Sequence, residues 1–183
     1  MFFYIFVKIY LTHFMKKIVL SLATVLLFAM GSNAQKQVGG GLGMLRLDFG
    51  SGSDATNLLG LHAFGKYNVN DNVRVGANLG YYSKSEDGLS FFSMPISGLV
   101  EYTKNSGKFS PFGGLEVGLN NIGFRYKGES ESEGSLFFAP VVGVEFELTK
   151  QLNGLVNAKY NYIMTEGDET TGIGFNVGVA YNL

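Results

Sequence analysis

The chain has 183 residues, with fourteen Lys and Arg against fifteen Asp and Glu, and neither Cys nor Trp. This balance carries no basic surplus for nucleic acid, and the lack of cysteine excludes disulfides, thiol chemistry and a lipoprotein anchor. After residue 34 a single histidine remains, His62, which removes most metal-site and nucleophile–base arrangements.

Residues 1–14 are apolar and aromatic, unlike the basic start of an export signal, and are expected to be an upstream extension, with Met15 as the true initiator. Residues 15–34 read as a signal peptide. Lys16 and Lys17 precede an apolar run over 18–30, and Ser32-Asn33-Ala34 supplies small residues for cleavage. The run has thirteen residues, short of the ~20 needed for a helical span. The expected mature domain, 35–183, holds eleven Lys and Arg against fifteen Asp and Glu, a net charge of −4.

From there the sequence alternates with period two in eight segments, with no helical period, which predicts strands. They run over 38–49, 58–68, 72–82, 91–103, 109–120, 136–148, 153–164 and 171–183. In the third, Val73, Val75, Ala77, Leu79 and Tyr81 share one face, and Arg74, Gly76, Asn78, Gly80 and Tyr82 the other. In the last, Ile173, Phe175, Val177, Val179 and Tyr181 oppose Gly174, Asn176 and Gly178. Pro95, Pro111 and Pro140 are expected near strand ends, where a lost ladder bond is tolerable.

Connections alternate in length. Residues 68–72, 103–108 and 149–152 read as tight turns; 50–57, 83–90, 121–135 and 165–170 read as longer loops rich in Gly, Ser and acid. An even strand count with short turns at one end and long loops at the other is the pattern of an outer-membrane barrel. The predicted fold is all-β: an eight-stranded antiparallel up-and-down transmembrane β-barrel, with both ends of the domain periplasmic.

A soluble, lipocalin-like barrel would turn its apolar face inward. Here the other face carries nearly balanced charges: Arg46, Lys66, Arg74 and Lys159 against Asp48, Glu101, Glu116, Glu145 and Glu147. Such charges suit a lumen where they can pair, interspersed with glycines and asparagines that let a narrow barrel fill. Aromatics at the strand ends of the apolar face predict two membrane girdles: Tyr67, Tyr102, Phe109, Phe146 and Tyr181 at the turn end, and Tyr81, Phe92, Phe138 and Tyr162 at the loop end.

The eight strands, the Pro111-Phe112-Gly113-Gly114-Leu115-Glu116-Val117-Gly118 start of the fifth and the closing Val177-Gly178-Val179-Ala180-Tyr181-Asn182-Leu183 resemble the small outer-membrane β-barrel proteins of the OmpA/OmpX-like type, often labelled "porin family". The resemblance covers the whole of 35–183. It implies a monomeric barrel in the outer membrane of a Gram-negative cell, in contact with lipid and lipopolysaccharide. It also implies insertion by the barrel-assembly machinery, which reads a terminal aromatic residue; here Leu183 is last and Tyr181 shares its face.

For function, a barrel of this strand number fills its lumen with its own side chains. The charges Arg46, Lys66, Arg74, Glu101, Glu116, Glu145, Glu147 and Lys159 are expected to be a structural network rather than an ion path. His62 has no placed serine partner, so no enzymatic activity, cofactor or metal is expected. The loops remain: residues 48–57, 83–90, 121–135 and 164–171 carry ten acids against three bases, while the three turns are net +2. The leading reading is a structural, surface-interacting envelope protein, with weak Ca²⁺ or Mg²⁺ association at the acidic loops as a further expectation. The alternatives are a narrow channel, a lipid-modifying enzyme and a soluble lipocalin-like binder.

Overall fold

The structure, a computed structural model, describes residues 36–50, 55–86, 88–104, 106–126, 129–164 and 169–183. The expected extension and signal, 1–34, lie outside these. The strands are β1 (Lys36–Asp48), β2 (Thr56–Asn68), β3 (Val73–Glu86), β4 (Leu89–Thr103), β5 (Phe109–Tyr126), β6 (Glu129–Glu147), β7 (Leu152–Met164) and β8 (Glu169–Asn182). Each pairs antiparallel with its chain neighbour, and β8 pairs with β1, closing the barrel. Closure leaves no open edge within the ring, which is what permits a sheet to sit in lipid.

Period-two alternation decides the faces. Leu42, Leu59, Leu61, Ile96, Val100, Val117, Val142 and Phe175 are exposed on the outside, an apolar surface far beyond what a soluble monomer presents to water. Inside, Lys66, Arg74, Glu101, Glu116, Glu145 and Lys159 are buried. A soluble lipocalin-like arrangement is the reverse of this.

The tight turns are built from their own polar side chains. Asn70 Oδ1 accepts from Asn72 N (2.9 Å) and Val73 N (2.8 Å), and Thr149 Oγ1 accepts from Leu152 N (3.0 Å); both substitute for turn backbone bonds. Gly107 supplies φ 71° between β4 and β5, a left-handed conformation that a Cβ disfavours.

Two expectations about the chain are corrected. Residues 83–90 and 121–135 are not loops but mostly strand: Glu86 pairs with Leu89, and Tyr126 with Glu129. Strands β3–β6 therefore rise as a wall. β6 pairs with β7 only from Leu136, opposite Met164, so Glu129 to Ser135 extend beyond it, about 23 Å of strand at ~3.3 Å per residue. Pro95 and Pro140 also lie in mid-strand rather than near strand ends. The β3–β4 ladder skips from Leu79↔Ile96 to Tyr82↔Ser93, and the β6–β7 ladder from Phe138↔Tyr162 to Val141↔Lys159. Each proline lacks the N–H its neighbour would receive, and each ladder opens over two residue pairs without a change of register.

Candidate functional site: lumen and wall

The lumen is stacked in three layers. Nearest the turns, Arg74 lies between two carboxylates, with Nη1 2.9 Å from both oxygens of Glu145 and Nη2 2.9 Å from Glu101 Oε2. Lys66 Nζ closes the square, 3.0 Å from Glu101 and 3.4 Å from Glu145. Two cations and two anions leave this layer neutral. Lys66 also lies over the rings of Phe64 and Phe112, 4.7 and 4.9 Å from their centroids, positions favoured by the ring quadrupole. Desolvating four charges costs several kcal/mol each unless they are paired this closely.

The middle layer centres on Glu116, which accepts from Lys159 Nζ (3.3 Å), Ser97 Oγ (3.2 Å) and Asn78 Nδ2 (3.3 Å). Above it, Tyr82 crosses the lumen and donates to Asn176 Oδ1 at 3.0 Å. Its ring fits because two strand glycines flank it: a Cβ on Gly43 or Gly80 would lie 2.9 or 2.6 Å from ring carbons. The loop-end layer is apolar. Leu45, Leu47, Leu58, Phe137, Ala139 and Ile163 are buried together with Tyr82, and Phe49, Phe91 and Ile122 pack against them. This plug has no counterpart in the expected polar lumen.

Six of the eight charged residues assigned to the lumen are thus brought together in two networks. Arg46 is corrected: β1 turns its odd-numbered side chains inward, so Leu45 and Leu47 fill the lumen while Arg46 is exposed outside, as is Asp48. Asp48 Oδ1 instead accepts from Gly50 N at 3.0 Å, turning the chain out of β1. Glu147 is also corrected. It keeps the inward parity of Glu145 but is exposed at the turn-end mouth, beyond the buried network.

The girdle residues Tyr67, Tyr81, Phe92, Tyr102, Phe109, Phe138, Phe146, Tyr162 and Tyr181 all lie on the outer face, none of them buried. Tyr81 stacks with Phe92 (centroids 6.5 Å apart), and Phe138 meets Tyr162 at 5.1 Å.

His62 is 7% exposed and stacked on Phe64, and neither ring nitrogen has a partner among the described residues. Ser93 and Ser97 donate instead to Asn120 and Glu116. A base without a nucleophile or an orienting carboxylate has none of the geometry of acyl transfer. A void of about 10 Å³ separates His62 from Lys66, Glu101 and Glu116, about the room of one water.

The wall handles charge differently. Glu129, Glu131 and Glu133 lie across from Tyr126, Phe124 and Ile122, on the face that continues the lumen. No cation pairs with these glutamates among the described residues, and Leu89, Phe124 and Tyr126 are exposed beside them. At the neighbouring β3 tip, the hydrogen bond and charge of Lys84 (2.6 Å) hold the exposed Glu86 carboxyl below its ordinary range. Among the described residues, no group of three His, Asp or Glu is placed to hold a metal ion.

An apolar exterior around a paired, charged interior is the arrangement of a lipid-embedded barrel, and the sequence itself matches the outer membrane protein beta-barrel domain over residues 19–182. The chain belongs to that family. Among solved structures, this family member resembles Neisserial surface protein A (TM-score 0.72, 14% identity, 80% of this chain and 96% of that one). It also resembles Ail, the attachment invasion locus protein of Yersinia pestis (0.61, 17%, 83% and 100%), and OprG from Pseudomonas aeruginosa (0.56, 16%, 82% and 96%). At these identities the likeness is one of fold. No curated protein sequence matches the chain significantly.

Proposed function

We propose that this barrel is a non-enzymatic surface protein whose β3–β6 wall stands outside the cell and binds an extended, cationic and apolar segment of a partner. The observation that carries the reading is the upper edge of β6. From Glu129 to Ser135 that strand pairs with β5 on one side and with no described strand on the other. An open edge offers backbone donors and acceptors for strand addition, and alternate side chains set the specificity. Glu129, Glu131 and Glu133 sit two residues apart, the spacing at which an added strand presents alternate Lys or Arg. Leu89, Phe124 and Tyr126 offer apolar contact beside them.

In this reading residues 15–34 are removed on export, the turn end with both ends of the barrel faces the periplasm, and insertion uses the assembly machinery with Tyr181 as the aromatic cue. The barrel works as a monomer among lipid and lipopolysaccharide. Ail is the attachment invasion locus protein, and it is also known in complex with the heparin analogue sucrose octasulfate. The acidic wall here selects the opposite charge. The apolar plug argues against conduction, since it closes the loop end of the lumen, and the unpartnered His62 argues against catalysis.

The test is binding of an alternating Lys-Val peptide to the barrel in zwitterionic nanodiscs. We expect saturable binding that falls at least tenfold in the triple variant E129K/E131K/E133K and is absent for a Glu-Val peptide. Equal binding of both peptides, or no effect of the variant, would overturn the reading.

A further inference from the structure

The lumen opens at its turn end into a basin of about 270 Å³. This is room for several waters or for one small organic solute. The basin carries both signs of charge. Lys108 comes from the β4–β5 turn, Lys150 from the β6–β7 turn and Glu147 from the end of β6. None of the three has an ion-pair partner among the described residues. The backbone fixes two of them side by side, because Glu147 N donates to Lys108 O at 3.0 Å.

The floor is already neutralised. Glu145 lines it, with its charge met by Arg74 and Lys66. Next to it Gln37, only 6% exposed, donates from Nε2 to Glu145 Oε2 (3.1 Å) and Asn182 Oδ1 (3.2 Å). Its carbonyl oxygen accepts from nothing described. Gln37 lies beneath the basin and ties two of its lining residues, Glu145 and Asn182, together. An anion entering here meets Glu147, and a cation meets the two lysines. A molecule carrying both charges a few ångströms apart suits the whole set.

We propose that the basin binds a small zwitterion, an α-amino acid or the end of a short peptide. Its carboxylate lies between Lys108 and Lys150, and its ammonium at Glu147. The proposal is independent of the wall as a contact surface. Partly hydrated contacts of this kind are worth about 1.5- to 5-fold in affinity each, so binding is weak and shows in titration rather than in co-purification.

The experiment is an NMR titration of the ¹⁵N-labelled barrel in detergent micelles with glycine, diglycine, N-acetylglycine and glycinamide. We expect saturable shifts around residues 107–110, 147–153 and 182 with glycine or diglycine. Each singly charged derivative should bind at least about twofold more weakly. The tighter of glycine and diglycine assigns the source as a free amino acid or a peptide end. In E147Q and in K108Q/K150Q the preference for the zwitterion should shrink by about 1.5- to 5-fold, with heat-modifiable migration reporting that the barrel is intact. The ligand series on the native chain needs no variant. No saturable shift, equal binding of zwitterion and blocked derivatives, or indifference to both variants overturns the proposal.

Discussion

The lumen and the β3–β6 wall both contain glutamates on the inward-parity face of a strand, yet the molecule treats them in opposite ways. In the lumen, Glu101 and Glu145 share Arg74 and Lys66, and Glu116 takes Lys159. On the wall, Glu129, Glu131 and Glu133 lie across from aromatic and aliphatic neighbours and form no ion pair among the described residues. The difference follows from solvent. A carboxylate in the closed lumen costs several kcal/mol unless it is paired, whereas one on an exposed strand keeps its hydration and remains available. Paired acids hold the barrel; unpaired acids are left for something else.

That contrast predicts an ordered set of effects on stability. The largest is Arg74→Met, which strands Glu101 and Glu145 and should cost about 3–5 kcal/mol; denaturant unfolding in micelles measures it, and a loss below 1 kcal/mol would mean the square does not hold the barrel. Next comes Phe137→Ala in the plug, with an expected loss of about 3 kcal/mol or more from cavity formation, read in the same assay. Tyr82→Phe removes only the bond to Asn176 and should cost about 0.5–1.5 kcal/mol. Smallest is E129K/E131K/E133K, expected within about 0.5 kcal/mol of the native chain because the sites are exposed. A large loss there would erase the distinction between holding and available acids.

Strand number, barrel closure and the outward row of β3 and β8 follow from alternation alone, because lipid demands an apolar face at every second residue along a span. The rule fails where the span ends. Arg46 and Asp48 are polar yet point outward, and Leu45 and Leu47 are apolar yet point inward, since beyond the apolar band the exterior need not be greasy and the interior is plugged. The polar lumen predicted from Gly and Asn positions therefore lacked its loop-end third, though Phe137 and Ala139 stood in the inward row of the sixth segment. The wall was legible too. Asp87-Gly88 between Glu86 and Leu89 is a two-residue hairpin signal, and Gly88 has φ 79°; the serine and glutamate content around it reads as loop when composition is weighed above turn chemistry. The His62 environment and the turn-end basin were not legible, because both depend on residues from four or more strands converging in space.

In the proposed function the wall faces outward from the cell while the tight turns face the periplasm. The chain has no cysteine, so single substitutions report on location without background. Ser130→Cys on the wall and Lys150→Cys in the β6–β7 turn should be treated on intact cells with a membrane-impermeant maleimide. We expect labelling of Ser130→Cys on intact cells, and of Lys150→Cys only after the outer membrane is opened. Labelling of Lys150→Cys on intact cells with Ser130→Cys protected would contradict it.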